Sequence, residues 1–534
     1  MKWEILDKQK VKDTKSLVVT LLKNRGIKTK KEIDEFLNPK NPNKIGLKEL
    51  KVSKTSIQRI VKRLKKAKEK REKIVVFGDY DCDGVCATAI LWETLYKLGY
   101  DAMPYIPDRF EEGYGLKADS IQRLLSKEKK LSLIITVDNG IVAYDAISEA
   151  KKQGIDVIVV DHHTKGNKKL VTPFALHSTL VCGSALSWFF SKELGVKDGL
   201  DLVAIGTIAD QMPLVGINRS LVKYGLDEVA KTKRLGLRFL IKTASINSVG
   251  VYEIGYIIAP RINAMGRLSH ALDSLRLLCT RDIKKAEKLA NVLGETNIER
   301  QKIVDDVITK ALKFVTEEKI LVIEGDYHEG VIGLASGKIT EKFYRPSIVF
   351  SKGEKVSKAS ARSIFGFNII EAIKETGLII EGGGHPMAAG FSIETTRIQE
   401  FRSKINEIGK VKLTDDILER KLKIDLVLDF NNINDDLVKE LKKFEPTGYS
   451  NFPPVFMSRK VKIIESKPVG IDGKHLKLKI EQDNKTFDAI YFGGASVHGS
   501  LSTDHFVDIV YTIETNTWNN KISIQLKIRD LKID

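Results

Sequence analysis

The chain has 534 residues, 42% hydrophobic and 30% charged, with 88 Lys+Arg against 70 Asp+Glu and a formal net charge of +18. This length implies roughly three or four domains, and the composition excludes disordered and collagen-like chains. No apolar stretch is long enough for a membrane helix, the opening MKWEILDKQKVKD lacks a signal-peptide core, and the positive surplus suits either a polyanionic partner or a lysine-rich solvated surface.

Residues 1 to about 45 read as a small helical extension, LVVTLLKNRGI followed by KKEIDEFLNP. In the next segment Ile57, Ile60, Val61, Leu64 and Ala67 recur at helical spacing, and the Lys and Arg between them form that helix's wet face. From Ile74, strand, turn and helix alternate. IVVF leads to ATAILWETLYKLG, LIITV to AYDAISEAKKQG, then comes VIVV, and later LVAIGTIA. Short, fully apolar, β-branched runs between amphipathic helices predict a parallel sheet covered on both faces, with Gly99 and Gly154 at helix C-termini. Residues 282–315 carry Ile283, Ala286, Leu289, Leu293, Val304, Val307, Ile308 and Leu312 with no proline, which predicts a long helical connector. A second α/β pattern follows: ILVIEG, a helix from about Gly330, PSIVF, SKASARSI and GGGHPMAAGFSI. Past about residue 420, LKIDLVLDF, PVFMSRKVKIIESKPVG, HLKLKIEQDNKTFDAIYF, HFVDIVYTIETNTW and KISIQLKIRDLKID alternate apolar and polar positions. About five such strands predict a small closed β-barrel of the OB type. The fold class is α/β: a parallel-sheet catalytic domain (46–230) after the extension (1–45), a helical connector (231–315), a second α/β domain (316–400) and an OB-type β-barrel (401–534).

Acidic and imidazole side chains stand just past the apolar runs. Asp79, Asp81 and Asp83 follow KIVVF, Asp138 follows LIIT, Asp161, His162 and His163 follow VIVV, and Asp210 follows LVAIGTIA. Four runs read as strands, each delivering such groups at its C-terminal end, describe the crevice of an open α/β sheet. Any one carboxylate alone fits a helix cap; the whole set converges on divalent metal. Carboxylates and imidazoles without thiolates favour Mg²⁺ or Mn²⁺ over a structural zinc, and two such ions activate a water and neutralise a phosphoryl group. Cys82, Cys86, Cys182 and Cys279 form no C-x-x-C pair and read as reduced thiols, with Cys82 and Cys86 as small filler.

In that order and spacing, GDYDCDG, TVDNG, VDHH and GTIADQMPL resemble the four motifs of the DHH phosphoesterase superfamily. GGGHPMAAGF resembles the signature of its companion DHHA1 domain. APRINAMGRL, HEGVIGLASGKI, SARSI and FEPTGYSNFPPVF resemble the RecJ family of single-strand-specific exonucleases, and the likeness runs from about Ile74 to the C-terminus. The resemblance implies metal ligands at Asp81, Asp83, Asp138, His162 and Asp210, with Asp138 bridging two ions and His163 on the scissile phosphate. Family II pyrophosphatases of the same superfamily place a histidine four residues before the first aspartate of the pair. Phe77 stands there, and the resemblance leaves Asp79 as the candidate catalytic carboxylate to compensate. The stretch from Leu170 to Gly183 is shorter than in typical members. Arg109, with EGYG, and Arg261, Asn263 and Arg267 in PRINAMGR form a candidate pocket for a 5′-phosphate, since arginine binds phosphate bidentately; structural turns and ion pairs are the alternative. Arg362, Gly384 and His385 resemble binders of the substrate backbone, whereas Gly382 to Gly384 lacks the Lys-Ser/Thr of a P-loop. In the barrel Phe452, Phe456, Phe492 and Trp518 interleave with lysines, the pattern of a stacking platform or of a core.

The implied activity is a 5′→3′ exonuclease dependent on Mn²⁺ or Mg²⁺ that degrades single-stranded DNA to mononucleotides in repair and recombination. It would be cytoplasmic and monomeric, and served by a helicase and a single-strand-binding protein. One rival is a phosphodiesterase for short oligonucleotides or cyclic dinucleotides, or a pyrophosphatase; those relatives are shorter, and the barrel argues for longer nucleic acid. The other is a non-catalytic scaffold, against which all the expected carboxylates persist.

Overall fold

The computed structural model describes residues 1–8, 13–313, 316–501, 505–518 and 521–533. The chain divides into two units: one comprises Met1–Ile45, Gln211–Tyr224 and Lys421–Asp534, the other Gly46–Asp210 and Gly225–Arg420. No described helix is long and apolar enough to cross a membrane.

The second unit opens on a five-stranded parallel sheet, in the order Ala102–Tyr105, Lys73–Phe77, Leu131–Val137, Asp156–Asp161, Ala175–His177. The three central strands are buried almost throughout, which is why their sequences are apolar runs and not alternations. From strand Lys73–Phe77 the chain crosses to one neighbour and then returns to the other. The switch point therefore lies between Lys73–Phe77 and Leu131–Val137, where the loops bearing Asp79 to Asp83 and Asp138 emerge.

One expected strand is a helix. Residues Leu200–Ala209 are α-helical, entered from Gly199 at φ 99°, with Asp201 through Ile208 buried. LVAIGTIA carries no charged residue and only Thr207 as a polar one, so it has neither the period of a half-buried strand nor that of an amphipathic helix. Enclosure on all sides selected the helix, and Asp210 is its C-cap, not a strand-end residue.

The same unit contains the 30-residue helix Ile283–Leu312, capped by Asp282 accepting from the Lys285 N–H. Beyond it lies a mixed sheet in the order Ile379–His385, Ala388–Glu394, Val356–Arg362, Ser347–Ser351, Leu321–Gly325; only the last pair is parallel. Helix Ile398–Lys412 packs Phe401 and Ile405 into the core of this sheet with Phe350 and Phe391. A boundary at residue 400 therefore cuts a helix from its own core, and the barrel begins nearer Lys421.

In the other unit a closed ring forms from Phe456–Val469, His475–Gln482, Lys485–Tyr491, Lys521–Ile533 and Phe506–Trp518, the last pairing back onto the first. HLKLKIEQDNKTFDAIYF is two strands of this ring, turning at Asp483 and Asn484, both at positive φ as a two-residue hairpin requires. Strand Lys421–Val427 adds outside the ring and pairs in parallel with Lys2–Asp7. The N-terminal extension thus begins with a strand, followed by the expected helices Thr14–Asn24 and Lys30–Leu37. Phe430, Phe444, Phe456 and Tyr511 are fully buried in this core, each contributing about 2–3 kcal/mol by burial. Arg219 fastens the unit. Its guanidinium donates to the carbonyls of Phe36, Lys443, Phe444, Glu445 and Pro446 and lies 4.1 Å from the Phe36 ring centroid.

Candidate active site

The carboxyl end of the parallel sheet gathers the acids. Asp81 is the N-cap of helix Cys82–Lys97, accepting from the Gly84 N–H, and Asp83 lies in its first turn. Both can face one crevice because the chain leaves the strand through Gly78 and Asp79 and packs closely at Gly84. A Cβ on Gly84 would stand 2.5 Å from that of Asp79. Asp138 sits at φ 63°, an unfavourable conformation for a side-chain-bearing residue, held by its N–H bonding Val160 O. Gly183 makes room for its carboxylate, since a Cβ there would come within 2.5 Å of Asp138 Oδ1.

Three sets of ligand atoms lie within 4.8 Å of one another: Asp79, Asp81 and Asp138; Asp138, His162 and His163; Asp83, His162 and Asp210. Asp138 and His162 are each shared by two sets. Asp83 is also anchored, accepting from the Gly183 and Ser184 N–H groups at 2.7 and 3.1 Å, where helix Gly183–Glu193 begins. These two backbone donors leave no side-chain trace for sequence reading to find.

Burial, and then the charges of neighbouring aspartates, push Asp79 and Asp138 well above the ordinary carboxylate range; the same causes bring Asp210 to about 8. The buried Oδ1 atoms of Asp79 and Asp138 make no hydrogen bond. Asp138 Oδ1 nevertheless lies 3.0 Å from His162 Nε2, and His162 is itself held below its ordinary pKa by burial. A neutral imidazole nitrogen aimed beside a carboxylate oxygen that makes no hydrogen bond, among further clustered carboxylates, fits a divalent cation bound by oxygen and nitrogen. Asp79, Asp81, Asp83, Asp138, His162 and Asp210 are the residues that would hold it.

His163 is arranged differently. Its ring Nδ1 and its N–H both bond Asp161 Oδ1, at 2.8 and 3.0 Å, while Asp161 Oδ2 accepts from the Ile141 N–H. Burial works against both charges, but these hydrogen bonds and the mutual attraction outweigh it, lowering the Asp161 pKa and raising that of His163. Tyr114 in EGYG lies with its hydroxyl 3.3 Å from the His163 ring and donates to Asp138 O. Asp161 as the orienting partner and Tyr114 as a neighbour were not singled out by sequence.

Beside this crevice lies a cavity of about 490 Å³ lined by Tyr80, Arg109, Arg267, Lys358, Ser360 and Arg362, with Glu329 and Glu381 among its walls. Tyr80 stands between Asp79 and Asp81, so the cavity adjoins the acid loop directly. Arg109 lies over the Tyr80 ring at 5.1 Å. Burial, and then the like charges of Arg109, Arg300 and Arg362, push the Arg267 guanidinium down to about 10. Arg300, from helix Ile283–Leu312, gave no sequence signal among that helix's many charges.

Other residues of the expected phosphate pocket do other work. Asn263 Oδ1 accepts from the Cys82 N–H at 2.8 Å, tying helix Ala259–Leu268 to the acid loop. Arg261 bonds Ile257 O within its own helical stretch and does not line the cavity. Gly382 lines it, whereas Gly384 and His385 lie farther along the exposed strand Ile379–His385. In the barrel Phe456 is core; Phe452 and Phe492 are exposed, Phe492 with Lys527 Nζ 5.4 Å from its ring centroid; the Trp518 side chain lies outside the described residues.

Three family profiles match the chain: DHH family, N-terminal domain, over residues 73–207; DHHA1 domain, over 313–410; and RecJ OB domain, over 424–530. The single-stranded-DNA-specific exonuclease RecJ of Bacillus subtilis is 34% identical over 563 aligned residues, covering 100% of this chain and 71% of that protein. That of Haemophilus influenzae is 30% identical, covering 96% of this chain and 95% of its own. Among solved structures, RecJ from Thermus thermophilus in complex with Mn²⁺ superposes with a TM-score of 0.84 at 27% identity, covering 99% of this chain and 79% of that one. The corresponding Mg²⁺ complex gives 0.78 at 26% identity, covering 99% of this chain and 78% of that one.

Proposed function

The chain belongs to the RecJ family of single-stranded-DNA-specific exonucleases, and from that premise we propose that it removes mononucleotides from the 5′ end of single-stranded DNA in a reaction dependent on Mn²⁺ or Mg²⁺. The observation that carries this reading is the adjacency of two sites through Tyr80: a crevice of clustered carboxylates and a cavity in which Arg109, Arg267, Arg362 and Lys358 outnumber Glu329 and Glu381. A terminal phosphate seated on Arg109, Arg267 and Arg362 places the neighbouring phosphodiester at the acids, and charge-assisted contacts of this kind fix both position and orientation. That arrangement supports cleavage next to a 5′ end.

A divalent cation bound by the aspartates and His162 supplies charge neutralisation at the phosphoryl oxygens and a water of lowered pKa. The rest falls to the chain's own groups. With Nδ1–H donated to Asp161, His163 presents Nε2 as the atom that can hold a proton for a phosphate oxygen. Asp161 fixes that tautomer and favours the charged ring. Tyr114 limits how far the ring can turn.

The barrel's exposed Phe452 and Phe492 support a grip on single-stranded DNA by base stacking. A cytoplasmic place beside a helicase and a single-strand-binding protein follows for an enzyme that needs its substrate already unwound. The direct test is cleavage of 5′- and 3′-labelled single strands and of blunt duplex, with each metal and with EDTA. Release of label first from the 5′ end of single strands, in metal only, is the expected result. Release from the 3′ end, efficient digestion of blunt duplex, or unchanged rates in EDTA would overturn the reading.

A further inference from the structure

A second polar cavity, of about 400 Å³, opens near the carboxyl edge of the same parallel sheet, outward of strand Asp156–Asp161. Ile141 and His177 line it together with Lys51, Lys165, Lys168 and Lys169. Among the described residues no carboxylate lines it. Four cations around one cavity, without an acid, attract an anion. Tyr144 adds an aromatic ring, with Lys168 Nζ 5.9 Å from its centroid.

Two of the lining residues also touch the catalytic turn. The Ile141 N–H donates to Asp161 Oδ2 at 2.8 Å, and His177 Nε2 lies 2.7 Å from His163 O. A carbonyl only accepts, so His177 carries its proton on Nε2 in this contact. A ligand against His177 and Ile141 therefore bears on the back of the turn whose front presents His162 and His163.

We propose that this cavity binds the phosphate of a free nucleotide, and that its occupancy slows strand cleavage by acting through His177 on the His163 turn. The second clause rests on the role proposed for His163; the first does not. The volume is that of a small-molecule site. A terminal phosphate carries about −1.5 to −2 charges at neutral pH, a better match to clustered lysines than one internal phosphodiester. The crevice on the other side of the turn would release such a phosphate at every cycle. Two sources share this chemistry, the product mononucleotide and inorganic phosphate.

The test begins with binding, read by calorimetry in EDTA, with dAMP and with inorganic phosphate as separate titrants. The proteins are wild type, Lys165→Ala/Lys168→Ala/Lys169→Ala, Arg267→Met, which removes a cation of the other phosphate site, and the two combined. Arg267→Met should leave the lysine cavity's site at full affinity, and adding the triple substitution to Arg267→Met should weaken dAMP binding at least about tenfold, since each lost contact is charge-assisted. Phosphate binding as tightly as dAMP makes the phosphate group alone the determinant; preference for dAMP makes the product nucleotide the ligand, and both outcomes support the cavity. In cleavage assays dAMP should inhibit the wild type without competing with the strand. The triple variant should keep the uninhibited rate and need at least about tenfold more dAMP for the same inhibition. His177→Phe should bind dAMP yet escape inhibition. Equal dAMP affinity in Arg267→Met with and without the triple substitution overturns the proposal. So does a triple variant that loses affinity for long single strands but not for dAMP, which would place the cavity on the strand's path. Binding is measured without cleavage, so failure of the exonuclease reading and failure of this site are separable.

Discussion

The acid crevice and the arginine cavity are mirror images in charge. One collects five aspartates whose ionised forms repel one another; the other is lined by Arg109, Arg267 and Arg362, and burial, followed by the like charges of Arg109, Arg300 and Arg362, lowers the Arg267 pKa. Neither resembles a structural ion-pair network such as Arg234 with Glu93 and Asp201, in which opposite charges meet at 2.8 and 3.1 Å. Nor do they resemble Arg219, whose guanidinium is satisfied by five backbone carbonyls. A fold that leaves two buried clusters unbalanced has an unfavourable term that only a ligand of opposite charge offsets. The two clusters adjoin at Tyr80, so the two ligands, a cation and a phosphate, meet there.

This contrast can be broken by substitution, and the largest effect falls on the acids. Asp138→Asn keeps a residue that tolerates positive φ while removing the carboxylate shared by two ligand sets. Cleavage should fall by roughly 10³-fold or more, since several kcal/mol of charge stabilisation are lost. The metal-free protein should melt no lower than wild type, because one repelling charge is gone. A rate near wild type, or a clear loss of metal-free stability, would show that Asp138 serves the fold and not a cation.

Arg219 is the control for what a buried cation does when the chain itself satisfies it. Arg219→Ala should destabilise its unit by about 3–5 kcal/mol, leaving five carbonyls without their donor. Denaturant unfolding that follows the barrel should show an earlier transition, with cleavage of very short oligonucleotides little changed. If stability is unaltered, water has taken the guanidinium's place and the clamp is not a fastening.

How much of this contrast was legible beforehand differs between its halves. The acids announced themselves because short β-branched runs end abruptly in Asp and His, and only a fully buried parallel sheet makes such runs. Asp210 was expected in the site for the wrong local reason, a helix read as a strand, because a run without charged residues and with a single threonine carries no period. The arginine cavity was half visible. Arg109, Arg267 and Arg362 line it, but Lys358 and Ser360, which also line it, lie on a strand whose alternation said only which face is wet. Asn263 was drawn into the phosphate pocket by its place between two arginines, whereas its contact is the Cys82 N–H. The opening strand Lys2–Asp7 was missed because its partner, Lys421–Val427, lies some four hundred residues away in sequence and its own six residues carry little signal.

The arginine half of the comparison is sharpened by Arg267→Met, which keeps the side chain's bulk and removes its charge. The loss should be on the order of 1.5–3 kcal/mol, roughly ten- to a hundredfold, on 5′-phosphorylated strands, and much smaller on 5′-hydroxyl strands. Melting temperature should hold or rise, as relief of repulsion from Arg109, Arg300 and Arg362 predicts. Equal losses on both substrates with a lower melting temperature would assign Arg267 to its bond with Gly330 O, a structural role.

The smallest effect is a change of slope. Asp79, Asp138 and Asp210 have folded pKa values raised above the unfolded carboxylate value of about 4, Asp210 to about 8. Through that window the native state holds more protons than the unfolded chain, so these groups cost nothing at low pH and destabilise the metal-free protein progressively as pH rises. A bound cation replaces the protons and removes the cost. The stabilisation given by Mn²⁺, measured as the melting-temperature difference between metal-loaded and metal-free protein, should therefore grow by a few degrees from about pH 5 to about pH 8. Metal binding near pH 7 should release protons, detectable by calorimetry in buffers of different ionisation enthalpy. Because loaded and free protein share every other titrating group, the difference isolates the crevice. A difference that does not change across this range would mean that the aspartates are already balanced by the chain, and the contrast with the satisfied Arg219 would disappear.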